Sequence, residues 1–341
     1  MKEHGYVIGI DLGGTKIATA LCDNACNIIA RVKVNTEAEE GEQEVIRRIG
    51  DSIRQVIEIS GVPVKQISGI GISSPGPLSI EKGTIIYAAL LGWRNVAIRE
   101  LIQQEFNIAT YLENDANAAA YGETLLGAGR GFSNVVYITV STGIGSGLVI
   151  NRQIHRGKHD AAGELGHICV ELNGRKCSCG NRGCLQAYAS GTAIAQIARE
   201  RALCQKESRI LSLADGKIES IDCLTVEKAA YEGDSLVKEL WHEAGVSLGQ
   251  GISIIMQMLD PDIVVIGGGV TKAWKLFYEP MVRVVGQQTY KLISDDMLIV
   301  PAQLGEDSGV LGAAMIALTE GGKCQESLFL QQKISMKYCF R

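Results

Sequence analysis

Two stretches of this chain are built to one plan, and that repetition restricts the fold more than any other feature. Tyr6–Ile10 (YVIGI) is a short apolar run that breaks at Asp11-Leu12-Gly13-Gly14-Thr15-Lys16 and resumes as Ile17–Leu21. Val135–Val140 (VVYITV) breaks at Ser141-Thr142-Gly143-Ile144-Gly145-Ser146-Gly147 and resumes at Leu148-Val149-Ile150. Each reads as strand, tight turn, strand. A third run, Ile263–Ile266, ends in Gly267-Gly268-Gly269. The chain has 40 glycines against 6 prolines, and the glycines gather at these strand ends. Such turns aim several backbone N–H groups at one point, a nest that holds phosphate oxygens with no side chain in the way. One glycine hairpin is usually only a turn. Two of them, one near the start and one near the middle, imply an internal duplication that places one ligand between two similar lobes. The P-loop pattern GxxxxGK[ST] does not occur, and no GxGxxG opens a helix after a strand, which disfavours dinucleotide binding.

Amphipathic helices fill the space between the turns. Over Glu42–Ile59, Val45, Ile49, Ile53, Val56 and Ile57 recur at helical spacing and form one apolar face. A later helix, roughly Leu236–Leu259, runs into Asp260-Pro261, a stop signal before the third glycine strand. Hairpins first and helices after, in each half, indicate α/β lobes with mixed sheets. A length of 341 residues fits two domains, each with its own apolar interior, so neither metal nor disulfide is needed merely to keep the chain folded. No secretory leader and no membrane-spanning apolar stretch is read at the start or elsewhere, so the expectation is a soluble, cytoplasmic protein with no membrane partner. A net charge of -5 without any Lys/Arg block argues against a nucleic-acid partner.

Three of the 10 cysteines fall within CSCGNRGC, residues 177–184. Such a cluster is a redox device, part of a disulfide scaffold, a metal site or a coincidence. In a reducing compartment the balance moves toward metal or catalysis.

Taken together, DLGGTK at 11–16, ENDAN at 113–117, STGIGSG at 141–147, GELGH at 163–167, CSCGNRGC at 177–184 and IGGGV at 266–270 resemble the ROK family (repressors, open reading frames and sugar kinases) of the actin-like ATPase and hexokinase superfamily. The resemblance runs from about residue 6 to about residue 320. It implies an α/β, two-lobed actin-like ATPase (ribonuclease H-like) fold, with duplicated mixed-sheet lobes and a cleft between them. The implied domains are a small N-terminal lobe, 1–117, completed by the helix near 307–320, and a larger lobe, 118–306, carrying a zinc loop at 167–184. A C-terminal extension, 321–341, matches nothing recognisable.

Family roles carry over residue by residue. Zinc ligands would be His167, Cys177, Cys179 and Cys184; one imidazole and three thiolates fill a tetrahedron with no open position, which makes the site structural. Asp115 takes the catalytic position: it would aim a sugar hydroxyl and accept its proton. An Asp before the alanine-rich helix Ala116–Leu126 is otherwise an ordinary helix N-cap. Sugar contacts would be Gly76, Asn114, Asp115, Glu164, His167 and the residue at 186. ATP would lie between the lobes, its phosphates on Gly13, Gly14, Thr15 and Lys16 and on Thr142 and Gly143, with Gly268 and Gly269 at the adenosine end. Mg²⁺ would accompany it, near Asp11 through water.

Two positions depart from the family. It usually has Glu where this chain has Gln186, and Asn where this chain has Ala89 in Ala89-Leu90-Leu91-Gly92-Trp93. Gln186 keeps an acceptor but gives up charge for an NH₂ donor. The resemblance implies an ATP-dependent hexose kinase, glucose to glucose 6-phosphate first, with an N-acetylmannosamine or other N-acetylhexosamine kinase second and a non-catalytic sugar sensor third. Repressors of the family carry a helix-turn-helix ahead of the first glycine turn, for which the residues before Asp11 leave no room. A homodimer is expected by analogy.

Overall fold

The computed structural model describes residues 5–204 and 208–319. Thirteen strands build it: β1 Tyr6–Leu12, β2 Lys16–Asp23, β3 Ile28–Asn35, β4 Ile67–Ser74, β5 Leu78–Ser79, β6 Thr84–Ala88, β7 Trp93–Val96, β8 Thr110–Asn114, β9 Val135–Val140, β10 Ile144–Ile150, β11 Gln153–Ile154, β12 Ile263–Gly267 and β13 Ile299–Pro301. The helices are α1 Glu42–Ser60, α2 Ile98–Phe106, α3 Asp115–Leu126, α4 Gln186–Ala189, α5 Gly191–Cys204, α6 Ile210–Leu213, α7 Cys223–Tyr231, α8 Ser235–Leu259, α9 Trp274–Gln288, α10 Lys291–Asp295 and α11 Ser308–Leu318.

One five-stranded sheet runs β3-β2-β1-β4-β8 and the other β11-β10-β9-β12-β13. Counted within its own half, each has the order third, second, first, fourth, fifth. The duplication read from the two glycine hairpins is therefore a duplication of sheet topology. In the first sheet β2 pairs antiparallel with β1 and β3, while β4 runs parallel to β1 and β8 parallel to β4. A three-stranded sheet, β5-β6-β7, is inserted between β4 and β8. By contacts the chain forms two compact units, one of residues up to Tyr137 with Gly147–Ala162 and the segment from Ala302, the other of Ile138–Ser146 and Gly163–Pro301.

In the first unit the two faces of the sheet are packed differently. Side chains alternate across a strand. Ile8, Ile10 and Leu12 of β1 and Ile70 and Ile72 of β4 therefore join Val45, Ile49, Ile53 and Val56 of α1 in one core. On the opposite face Val7 packs with Val310, Leu311, Ala314 and Ala317 of α11. Small residues let α11 come close: a β-carbon on Gly71 of β4 would overlap the Ala313 carbonyl oxygen. Asp11 of β1 and Ser73 of β4 share this α11 face, and the Ser73 hydroxyl donates to Asp11 Oδ1 at 2.8 Å.

Boundaries move where tertiary contacts decide them. The glycine run after β9 is only partly a turn, because β10 already begins at Ile144 and Gly145, Ser146 and Gly147 are strand residues. Gly147 is needed there for close approach, since a β-carbon would overlap the Ala116 carbonyl oxygen of α3. The strand expected at Ile108–Leu112 lies instead at Thr110–Asn114. The 321–341 extension lies outside the described residues.

Candidate functional site

In the first unit, the chemistry-bearing residues sit at the ends of β1, β4 and β8. The turn between β1 and β2 is closed by Gly13 N–H donating to Lys16 O at 2.9 Å and is held from outside by Thr36, whose hydroxyl donates to Gly13 O at 2.7 Å. Thr15 and Lys16 are exposed, and the Leu90 side chain of the Ala89–Trp93 stretch lies over Gly14. Burial pushes the Asp11 carboxyl up, against the Ser73 hydrogen bond and the Lys33 charge. Gly76 is in the turn after β4.

The β8–α3 junction corrects the capping assignment. Asn114 is the N-cap: its side chain accepts from Ala116 N at 2.9 Å and Asn117 N at 3.2 Å. Asp115 is the first helical residue and accepts from Ala116 N at 2.8 Å. A short polar side chain on Asn114 satisfies backbone donors that a new helix leaves unbonded, and Asp115 shares one of them, the Ala116 N–H.

Behind this junction lies a pair that the sequence reading missed. Glu113 is 1% exposed. Its Oε2 receives both Arg156 Nε at 2.7 Å and an Arg156 terminal nitrogen at 2.6 Å, a two-pronged contact. Its Oε1 accepts from Asn114 N and from Asn117 Nδ2, each at 3.0 Å. Glu113 thus ties the backbone of Asn114 to Arg156. The signal available was a carboxylate ending an apolar strand, which burial alone would forbid without a cation. Its partner, 43 residues on, carries no local pattern.

The second unit holds the other expected residues. Ser141–Gly143 form the turn into β10, closed by Ser141 N–H to Gly143 O at 2.9 Å, with Thr142 exposed. Gly268 has φ +90, and a β-carbon would overlap the Val140 carbonyl oxygen, so packing against β9 is enough to demand glycine there. A β-carbon on Gly269 would meet only Ser141 Oγ, at 3.9 Å.

His167, Cys177, Cys179 and Cys184 converge, their ligand atoms all lying within 4.8 Å of one another. Cys179 Sγ is 3.7 Å from Cys184 Sγ, and Cys177 Sγ is 3.8 Å from His167 Nδ1. Tetrahedral zinc with Zn–S of about 2.3 Å requires ligand separations of about 3.7 Å, so the donor set and its spacing fit that ion. Tight backbone bonds shape the loop: Cys177 N–H donates to Asn181 O, Gly180 N–H to Cys177 O and Leu185 N–H to Ile168 O. Burial raises the Cys177 thiol, but hydrogen bonds from the Cys179 backbone and the Gln186 amide outweigh it and leave the group at about 6. Burial and the neighbouring sulfurs push Cys184 up to about 12. With Nδ1 toward the cysteines, His167 Nε2 lies 3.9 Å from Glu164 Oε2. The two predicted sugar contacts of GELGH are therefore neighbours. Among the other described cysteines, Cys22 and Cys26 are buried and Cys169 is exposed, and none joins the cluster.

Two five-stranded mixed sheets of one strand order in an α/β chain are those of the two-lobed actin-like ATPase fold. The chain belongs to the ROK family, whose profile matches residues 7–320. It is 35% identical to a glucokinase of Thermotoga maritima, over 91% of this chain and 96% of that protein. A ROK family glucokinase from Streptomyces griseus, solved in complex with glucose and AMPPNP, is 32% identical, with a TM-score of 0.79 over 92% of this chain and 99% of that one. A xylose repressor of Bacillus subtilis is 30% identical over 93% of this chain and 78% of its own length. Among the described residues no helix is long and apolar enough to cross a membrane.

Proposed function

We propose that this chain is an ATP-dependent hexose kinase that phosphorylates the 6-hydroxyl, with glucose as the first substrate. The observation that carries the reading is the β8–α3 junction. Asn114 caps the helix, Glu113 and Arg156 brace the backbone behind it, and Asp115 stands at the first helical position, the place to which the family resemblance assigns the catalytic carboxylate.

The sugar O6–H donates to the Asp115 carboxylate. As the bond from O6 to the γ-phosphorus forms, that proton passes to Asp115, and the bond from phosphorus to the bridging oxygen breaks to release ADP. Asn114, Glu164, His167 Nε2 and Gly76 supply donors and acceptors for the remaining hydroxyls, each of which needs a partner once buried. Backbone N–H groups of the Gly13–Lys16 and Thr142–Gly143 turns take phosphate oxygens, and Gly269 takes the adenosine end. Mg²⁺, when bound, neutralises phosphate charge near Asp11. His167, Cys177, Cys179 and Cys184 would hold zinc, which when bound would fix the ring of His167 and so contribute shape and not hydrolysis.

ADP release by the purified protein with ATP and Mg²⁺, against glucose, mannose, fructose, N-acetylglucosamine and N-acetylmannosamine, tests this directly. Turnover led by glucose is expected. Asp115→Asn should lower kcat by roughly 10²–10⁴-fold while sugar binding by calorimetry persists. A lead by an N-acetylhexosamine would change the substrate. Sugar binding without turnover on any sugar would overturn the kinase reading in favour of a sensor, the role that the repressor relatives suggest.

A further inference from the structure

We propose that Gln186 serves the metal site: its side-chain amide is the outer hydrogen-bond donor that holds the Cys177 thiolate, making it a positioning residue and not primarily a sugar contact. The inference rests on the zinc reading above. Gln186 opens α4, two residues after Cys184, and its backbone is fixed from both sides. Leu185, before it, is fully buried, donates its N–H to Ile168 O at 3.0 Å and packs against Gly251 of α8. From that fixed start the amide nitrogen reaches Cys177 Sγ at 3.3 Å and Ser178 Oγ at 3.1 Å, one partner for each of its two hydrogens. The amide oxygen lies 3.3 Å from where a β-carbon on Gly143 would stand, so it faces the turn at the head of β10. One side chain therefore spans from the cysteine loop to that turn.

Charge explains why the amide suits this place. Zn²⁺ with three thiolates and one neutral imidazole keeps one net negative charge. A carboxylate at 186 would add a second beside it and has no hydrogen to give, whereas an amide supplies N–H donors to the sulfur at no charge. The family's Glu is free to accept from a hydroxyl. In this chain the donor turns toward Cys177, and the residue that departs from the family pattern is the one whose chemistry matches the cluster.

The test compares wild type, Gln186→Glu and Gln186→Ala as full-length proteins. Metal content, zinc transfer to a competing chelator, and the thiolate-to-metal charge-transfer band of the Co²⁺-substituted proteins are measured beside the kcat and KM for sugar. Both variants should lose zinc affinity by roughly 10–100-fold. Their cobalt band should move to longer wavelength, because a thiolate without its donor gives up charge more easily. Wild-type zinc affinity and an unmoved band in both variants, with KM for the sugar raised, would overturn the inference and return Gln186 to the sugar. Wild-type protein that binds neither zinc nor Co²⁺ through thiolates would instead overturn the metal reading, and this inference with it; the two failures are told apart by the wild-type measurement alone.

Discussion

At the scale of single residues, what decides the candidate site is which polar groups the fold buries and how it satisfies them. Glu113 is the clearest case, a carboxylate at 1% exposure whose two oxygens are divided between Arg156 on one side and Asn114 and Asn117 on the other. Removing the cation leaves a buried charge without compensation, which costs about 3–5 kcal/mol. Arg156→Met should therefore lower the unfolding free energy measured in urea by an amount in that range, and move the midpoint down with it, and the double variant with Glu113→Gln should recover part of it. Because Glu113 fixes the Asn114 backbone, kcat should also fall more than KM rises. An unchanged midpoint in Arg156→Met would refute the brace. The sequence offered Asp115 through its motif, yet the motif could not separate cap from first helical residue. That choice depends on the Asn114 side chain turning back to Ala116 and Asn117, a rotamer and not a pattern.

Elements were legible to the extent that their signal is local. Apolar β-branched runs located β1, β2, β9 and β12 within a residue or two, and the period of Val45, Ile49, Ile53 and Val56 located α1 together with the face it buries. Glycine misleads where it stands for contact and not for a turn: Gly145 and Gly147 read as loop but belong to β10. The same ambiguity hides the tightest helix–sheet contact, where α11 lies on β1 and β4 with no room for a methyl group at Gly71. Gly71→Ala forces the Ala313 backbone away and should destabilise by about 1–3 kcal/mol or more. Gly286 is the contrast. It is exposed in α9 and a β-carbon there meets nothing within 4 Å, so Gly286→Ala should stabilise by roughly 0.5–1 kcal/mol through helix propensity alone. Equal effects of the two substitutions in thermal unfolding would show that glycine abundance here reflects composition and not packing.

For the whole molecule, the repeated hairpin foretold two sheets of one topology, since a strand–turn–strand unit seeds the same order wherever it recurs. Where the chain would cross between units was not legible, because it does so inside β9, inside β10, between Ala162 and Gly163 and again after Pro301, at places with no composition change. The loop with the four candidate zinc ligands lies wholly in the second unit, and those residues span Leu165–His167 to Cys184 with little regular structure between them. Each unit buries its own apolar core, so metal loss cannot unfold the chain in the way it unfolds a zinc finger; it should release the loop alone. A strong chelator is therefore expected to lower the first thermal midpoint by about 2–4 °C for each 1 kcal/mol that the bound ion contributes to a unit of this size. Amide hydrogen exchange should quicken at 164–186, where Cys177 N–H, Gly180 N–H and Leu185 N–H now hold the loop, and stay slow in α1, β1 and α11. Exchange that quickens equally in both units would mean that the ion stabilises more than its loop, and exchange unchanged at 164–186 would mean that these backbone bonds hold the His167 ring in place without it.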